Sequence, residues 1–415
     1  MSYKILYQII VVIFFDLLLA SQSVLLVVSF DGYRYDYNEM YGAKHFNQFI
    51  DTGVKAKSLK PVFPTLTFPN HFSIATGTYP GTHGILANEF YDPIRDESYS
   101  YKIKETVQDG SWYKSEPIWV TAEKQGIKSA VYFWPGSEAE INGIRPSIYK
   151  EYSSNDQFNA RVDSVVSWMQ LPESKRPGLI MLYFHEPDRT GHIHGLNKEH
   201  LIPTLEKMDD ILGYIMQELE KVESNTNVII VSDHGMIELD RNQDILLNQY
   251  IGDIGSKHFR GNGPLMQIDA LGDKGLKSKL SKKLKRIPNV HIYYGDDTIC
   301  SIEEHNHHKD YYDLLLGDVN PSQIGDFLLV AEEGWSLFYD EEDQNSFTID
   351  GMHGYFARNM SMHGIFYANG PMFKEGMEID TFELIHIYPL LCNILNISPH
   401  EGNEGSIDVL KGILK

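Results

Sequence analysis

Cysteine is almost missing from this chain: Cys300 and Cys392 are the only two in 415 residues. Two thiols cannot build a cysteine-rich zinc site, so a metal held here must use histidine and carboxylate side chains. The pair is open to forming one disulfide in an oxidising compartment, which the sequence alone does not decide. Positive charge is also scarce. Lysine and arginine number 36 against 57 acidic residues, a net charge of −21, so no cationic excess is left to displace counterions from a phosphate backbone. That excludes a nucleic-acid-coating surface. Small phosphate-bearing ligands stay open, because a bound cation reverses the local field. Long apolar runs are absent beyond the N-terminus, where Lys4 precedes Ile5–Leu19, broken by Gln8 and Asp16, and then Ala20-Ser21-Gln22-Ser23. This layout is expected of a secretory signal peptide over residues 1–23, cleaved after Ala20 or Ser23. The alternative is an uncleaved anchor, for which the run is short and Asp16 costly. No later segment offers about 18 clean apolar residues, so the mature chain is expected to have no membrane span. Its expected place is secreted or on the extracellular face of the cell. Asn359-Met360-Ser361 and Asn396-Ile397-Ser398 are acceptor triplets for glycosylation in such a compartment.

What the chain does hold is a series of short apolar runs: Val24–Phe30, Ser129–Phe133, Leu179–Phe184, Val228–Val231 and Phe327–Val330. Helix-like stretches lie between many of them, notably Glu199–Val222 and Phe382–Leu395. Buried strands alternating with helices predict an α/β fold with a mainly parallel central sheet flanked by helices. No internal repeat or low-complexity linker divides the chain, so residues 24–415 read as a single domain. Within it, Leu271–Asp326 is more polar, with a Lys-rich helical part and the run Glu303–Asp310, and reads as a cap or excursion. In sheets of this kind ligands bind beyond the carboxyl ends of the strands. Functional residues should therefore follow the apolar runs directly.

They do. Asp31 ends the first run and Asp233-His234 follows Val228–Val231, while Asp188 and His192 come a short turn after Leu179–Phe184. His353-Gly354 sits farther on. Each alone has a plain structural reading, as a turn residue, a helix cap or a packed histidine. Together, three carboxylates and three imidazoles at one sheet edge suit one or two borderline divalent cations, zinc foremost. Between the first two groups lies Phe63-Pro64-Thr65-Leu66-Thr67-Phe68-Pro69-Asn70-His71. Pro69 fits the first turn of a helix, which puts Thr67 at a helix N-terminus, where free N–H groups and the dipole favour an anionic phosphate. A threonine hydroxyl becomes a useful nucleophile when a cation lowers its pKa. The competing reading makes Thr65 and Thr67 helix caps only.

The order of motifs resembles the nucleotide pyrophosphatase/phosphodiesterase family of the alkaline phosphatase superfamily, in its short, catalytic-domain-only form. The resemblance rests on Asp31-Gly32-Tyr33-Arg34, the block from Pro64 to His71, Thr76-Gly77 with Tyr79-Pro80, and His83-Gly84-Ile85. Asn88 with Tyr91-Asp92-Pro93, Glu116-Pro117-Ile118-Trp119, Trp134-Pro135-Gly136-Ser137 and Glu186-Pro187-Asp188 with Gly191-His192 continue it. Ser232-Asp233-His234-Gly235-Met236 and His353-Gly354-Tyr355 complete it. The resemblance implies an alkaline-phosphatase-like core and two zinc ions, one held by Asp31, Thr67, Asp233 and His234, the other by Asp188, His192 and His353. It implies that Thr67 attacks phosphorus to form a phosphothreonyl intermediate, which water then hydrolyses. Asn88, with the N–H of Thr67, would hold a non-bridging oxygen, and Phe68 and Tyr152 would sandwich a nucleobase. His363 matches a position that is not a ligand.

Two departures bear on the substrate. Leu66 and Glu89 stand where some nucleotide-hydrolysing members carry lysine, which predicts weaker binding of a triphosphate tail. Phe356-Ala357 follows His353-Gly354-Tyr355 where Asp-Asn is frequent, which questions the support behind His353. The leading expectation is a zinc-dependent hydrolase of extracellular nucleotides or dinucleotides that releases a nucleoside 5′-monophosphate. The alternatives are a choline phosphodiester or lysophospholipid phosphodiesterase on the same scaffold, and a catalytically weak cell-surface recognition protein. Phosphomonoesterase activity is disfavoured, because no arginine in the nucleophile block clamps a dianionic phosphate.

Overall fold

The computed structural model of the chain describes residues 23–222, 225–295 and 325–415. The expected signal peptide up to Gln22, Cys300 with its question of pairing, and the run Glu303–Asp310 lie outside the described residues.

The apolar run Val24–Phe30 forms strand β1, and all seven of its residues are buried. A strand covered on both faces reads as a continuous apolar run, and that is what places it at the centre of a sheet. The other strands of this sheet are β2 (Val54–Ala56), β3 (Ser129–Tyr132), β4 (Ile148–Lys150), β5 (Leu179–Phe184), β6 (Thr226–Val231), β7 (Phe366–Asn369) and β8 (Met377–Ile379). They lie in the order β8-β2-β7-β6-β1-β5-β3-β4. Only β7 runs against its neighbours; the remaining pairs are parallel. Side chains alternate across β1. Leu25 and Val27 join a core under the helices Thr67–Thr76, Ile118–Lys124 and Ile387–Leu395. Leu26, Val28 and Phe30 join the opposite core under Lys44–Asp51, Phe158–Met169 and Lys198–Leu219. Each such side chain taken out of water contributes about 1.5–3 kcal/mol, so the strand cannot shift register without reversing both faces.

This topology positions the site. β6, β1 and β5 are adjacent and parallel, so the residues that follow them emerge together at one edge. The run expected as Glu199–Val222 is a helix over Lys198–Leu219. The stretch Phe382–Leu395 divides into a short strand, a 3-10 turn and the helix Ile387–Leu395.

The run beginning at Phe327 is a strand, but it lies outside the central sheet. Phe327–Ala331 sits in a separate antiparallel sheet between Leu265–Ile268 and Val290–Tyr294, with Phe259–Arg260 at the edge. The Lys-rich segment forms the helix Lys274–Leu284, whose Leu280 and Leu284 pack with Ile268, Phe327 and Leu329. This second sheet draws on residues on both sides of the stretch 271–326. Strands as short as Phe259–Arg260 carry too few residues for their alternation to be read from sequence.

Candidate active site

β1 is followed at once by Asp31, which is 2% exposed. Its Oδ2 accepts from the Tyr183 hydroxyl at 2.5 Å, and Tyr183 stands beside the end of β5. Gly32 follows with φ of +66°, and a Cβ there would meet Asp188 Cα and Cβ at 2.8 Å. A side chain at position 32 would therefore push the Asp188 turn away, and glycine is the residue that permits this backbone. The Asp188 N–H in turn donates to the Asp31 carbonyl at 3.0 Å. Asp233 and His234, after β6, lie on the other side, with Gly32 N–H donating to Asp233 Oδ1 at 3.2 Å.

The three histidines are oriented alike. His234 Nδ1 lies 2.9 Å from the Gly235 carbonyl, His192 Nδ1 2.9 Å from the Gly351 carbonyl and His353 Nδ1 2.7 Å from the Thr65 carbonyl. A carbonyl only accepts, so each Nδ1 carries the proton and each Nε2 presents a lone pair. These lone pairs converge with the carboxylates. His234 Nε2 is 3.4 Å from Asp31 Oδ1 and 3.0 Å from Asp233 Oδ2. His192 and His353 Nε2 are each 3.5 Å from Asp188 Oδ1 and 3.1 Å from each other.

Acceptors facing acceptors repel, and the burial makes this costly. Asp31 Oδ1, Asp188 Oδ1 and Asp233 Oδ2 are buried without a hydrogen-bond partner. Burial, reinforced by the Asp233 and Asp188 carboxylates, raises the pKa of Asp31 well above the usual range. Burial acts the same way on Asp233, but His234 and His71 override it and hold that carboxyl well below the usual range. For His234, burial opposes the charge and Asp233 outweighs it, so its pKa is raised. His353 is driven well below the ordinary value by burial, then by His234 and His192. A divalent cation among these atoms would satisfy the orphaned oxygens and lone pairs together. Among the described residues two groups are close enough to hold one: Asp188, His192 and His353, and Asp31, Asp188 and His234, the ligand atoms of each lying within 4.8 Å of one another.

Thr67 opens the helix Thr67–Thr76, whose N-cap is Leu66, without a side-chain cap. Its Oγ1 is 3.3 Å from His234 Nε2. The capping reading of the threonines therefore fails at both positions. Thr65 Oγ1 instead donates to the Tyr355 carbonyl at 3.0 Å and accepts from Gly354 N–H at 2.9 Å. Asn88 Oδ1 accepts from the Phe68 N–H at 2.9 Å. Thr67, Phe68, Asn88, Tyr152 and the open face of Asp188 and His353 line one cleft of about 640 Å³. Phe68 leans on Tyr101 with ring centroids 5.6 Å apart, and Tyr152, half exposed, rests on Phe133 at 5.2 Å.

The structure thus brings Asp31, Asp188, His192, Asp233, His234 and His353 together around Thr67, with Asn88, Phe68 and Tyr152 above them. His363 lies apart, bonded to Ser58 and the Ala357 carbonyl. Phe356 stacks on Phe63, and the support behind His353 comes from Thr65. Sequence reasoning missed Thr65, Tyr183 and His71. His71 is fully buried; its Nδ1 lies 2.9 Å from the Thr67 carbonyl and 3.2 Å from Asp233 Oδ2, while Nε2 meets Ser29 Oγ at 2.8 Å. The signal was present as a histidine one helical turn after Thr67.

With this geometry in view, the family model for type I phosphodiesterase / nucleotide pyrophosphatase matches residues 25–356. The chain belongs to that family. Human ectonucleotide pyrophosphatase/phosphodiesterase family member 1 is 36% identical over 397 residues, 93% of this chain and 41% of the relative. Venom phosphodiesterase 2 of Crotalus adamanteus is 34% identical over 405 residues, 94% of this chain and 47% of the relative. The chain spans less than half the length of these curated relatives. The structure of human ectonucleotide pyrophosphatase/phosphodiesterase 5 matches with a TM-score of 0.83 at 30% identity, covering 94% of this chain and 100% of that one. A structure of the murine protein of that name, an inactive threonine-to-alanine variant in complex with AMP, matches with a TM-score of 0.83 at 28% identity, covering 95% and 100%. The mixed sheet with its flanking helices is the alkaline-phosphatase-like fold expected from sequence.

Proposed function

We propose that this chain is an extracellular zinc-dependent phosphodiesterase that cleaves nucleotides or dinucleotides through Thr67 and releases a nucleoside 5′-monophosphate. The observation that carries the reading is the placement of Thr67 Oγ1. It stands at a helix N-terminus, 3.3 Å from His234 Nε2, at the floor of an aromatic cleft and beside the orphaned carboxylate oxygens.

Asp31, Asp233, His234 and Thr67 would hold one zinc ion, and Asp188, His192 and His353 the other. Zinc supplies positive charge that favours the alkoxide form of a hydroxyl and offsets the charge of phosphoryl oxygens. The protein does the rest. Thr67 Oγ1 attacks phosphorus and forms a phosphothreonyl intermediate, and water later returns the threonine. Asn88 has its Oδ1 committed to the Phe68 N–H, so its Nδ2 donors are the ones available to a non-bridging oxygen, with the N-terminal dipole of the Thr67–Thr76 helix. Phe68 and Tyr152 flank the cleft, where they would hold a flat base between aromatic faces. The AMP bound by the murine neighbour supports a nucleotide as ligand. The names of the ecto- and venom relatives support an extracellular site of action, and among the described residues no helix is long and apolar enough to cross a membrane.

The test pairs metal analysis of the purified chain with turnover of the 4-nitrophenyl ester of AMP. Two zinc ions per chain and release of AMP are expected. Protein without zinc, or with zinc and no turnover, sinks the reading.

A further inference from the structure

A second cleft shares part of its lining with the active-site cleft. Its volume is about 570 Å³, and it shares Asn88, Tyr101, Lys102, His192 and His353 with the aromatic cleft. Its far wall comes from the second sheet, through Arg260, Leu265 and Leu328. We propose that this cleft is the subsite for the leaving group, and that it accepts a nucleoside monophosphate in preference to inorganic pyrophosphate. The inference rests on the phosphodiesterase reading above and deepens it.

Position is the first argument. In phosphoryl transfer the attacking and leaving oxygens lie roughly in line across phosphorus. Thr67 lines the aromatic cleft alone, whereas His192 and His353 line both. With the retained nucleoside in the aromatic cleft, the departing group leaves past His192 and His353 into the second. The Oγ1–P bond forms as the P–O bond to the leaving group breaks, its electron pair staying on the departing oxygen. After hydrolysis the hydroxyl of water is on phosphorus and its proton is on the leaving group.

The chemistry of the walls is the second. Phe63, Leu66, Leu86, Phe347 and Met352 give an apolar surface that an inorganic anion cannot use and a base can. Of the cations, Lys102 is closed off, with Nζ 2.6 Å from the Glu89 carboxylate. Arg260 has no carboxylate at ion-pair distance among the described residues, and its guanidinium lies 4.5 Å from the Tyr91 ring centroid. One uncompensated cation matches one phosphate, while pyrophosphate would bring its charge against Glu89 and an apolar wall.

The test uses three substrates with the same adenylate group: diadenosine diphosphate, ATP and the 4-nitrophenyl ester of AMP. Wild type is expected to show a kcat/KM for diadenosine diphosphate about tenfold above that for ATP. Arg260→Ala should lower it for diadenosine diphosphate about tenfold more than for the nitrophenyl ester, with Arg260→Lys restoring most of the difference. Glu89→Gln, which releases Lys102, should move the ratio toward ATP. A preference for ATP in wild type, or equal effects of Arg260→Ala on all three substrates, overturns the subsite alone. Failure to turn over the nitrophenyl ester overturns the phosphodiesterase reading and the subsite with it.

Discussion

The two halves of the proposed ligand cluster are built differently. Asp31, Asp233 and His234 have side chains between 0% and 3% exposed and come directly off β1 and β6. They are braced by Tyr183, His71 and the Gly32 N–H. Asp188 and His192 are 15% and 24% exposed and stand on a seven-residue helix outside the sheet, beside His353. The buried set is held by strands that cannot move without disturbing both cores. His192 and His353 line both clefts and Asp188 lines the aromatic one, where substrate and solvent arrive. The proposed reaction needs a fixed nucleophile and a route for water and leaving group, and a ligand set divided in this way would provide both.

Thr67 is itself half-buried but stands against His234 of the buried half, and its removal should give the largest effect. Thr67→Ala is expected to lower diester turnover on the order of 10⁴-fold or more while zinc content stays close to that of wild type. Retained turnover would remove the nucleophile and with it the reason for the division. Next in size is the contrast between Asp233→Asn and His192→Ala. Zinc release to a chelator should occur in two phases in wild type, the open set emptying first. Asp233→Asn should abolish the slow phase, and His192→Ala should hasten only the fast one. A single phase in all three proteins would mean the two sets are equivalent.

How far this division shows in the sequence depends on the element. Asp31, Asp233 and His234 are legible because they come within two or three residues of the end of the apolar-rich strands β1 and β6. Asp188 and His192 are legible because they come a short turn after another apolar run, Leu179–Phe184. His353 follows only the two-residue strand Gly351–Met352, so no periodicity marks it; residue type alone put it among the three imidazoles, and the family resemblance gave it a place in a ligand set. The supporting groups stayed hidden for a physical reason. Tyr183 and His71 look like core residues, and they are; their polar atoms acquire a role only when distant strands place Asp31 and Asp233 against them. The second cleft is less legible still, because its far wall comes from a separate sheet packed across the first.

His71 tests that hidden layer. His71→Gln removes the ring beside Asp233 Oδ2 and its bond to Ser29. Loss of such support costs roughly 10–100-fold in metal affinity. The loss should fall on the slow phase of zinc release and leave the fast phase in place. Equal loss in both phases would show that the braces of the two sets are shared.

The smallest effect, and the most direct reading of the contrast, lies in the proton equilibria of the metal-free protein. Asp233 raises His234 above the ordinary histidine value of 6.5 against the effect of burial, whereas burial and its two histidine neighbours put His353 well below that value. A raised value means the folded chain holds the proton more tightly than the unfolded one. The stability from His234 is therefore complete below 6.5 and is lost as pH rises through its folded pKa. For His353 the sign reverses: its contribution is complete above 6.5 and is lost as pH falls toward its folded pKa. Ring-proton NMR titration of the zinc-stripped chain should show His234 still charged at a pH where His353 is fully neutral. Zinc should then abolish both titrations, because it binds only the deprotonated Nε2 of each ring. Coincident midpoints near 6.5 would show that Asp233 and burial do not separate the two sets.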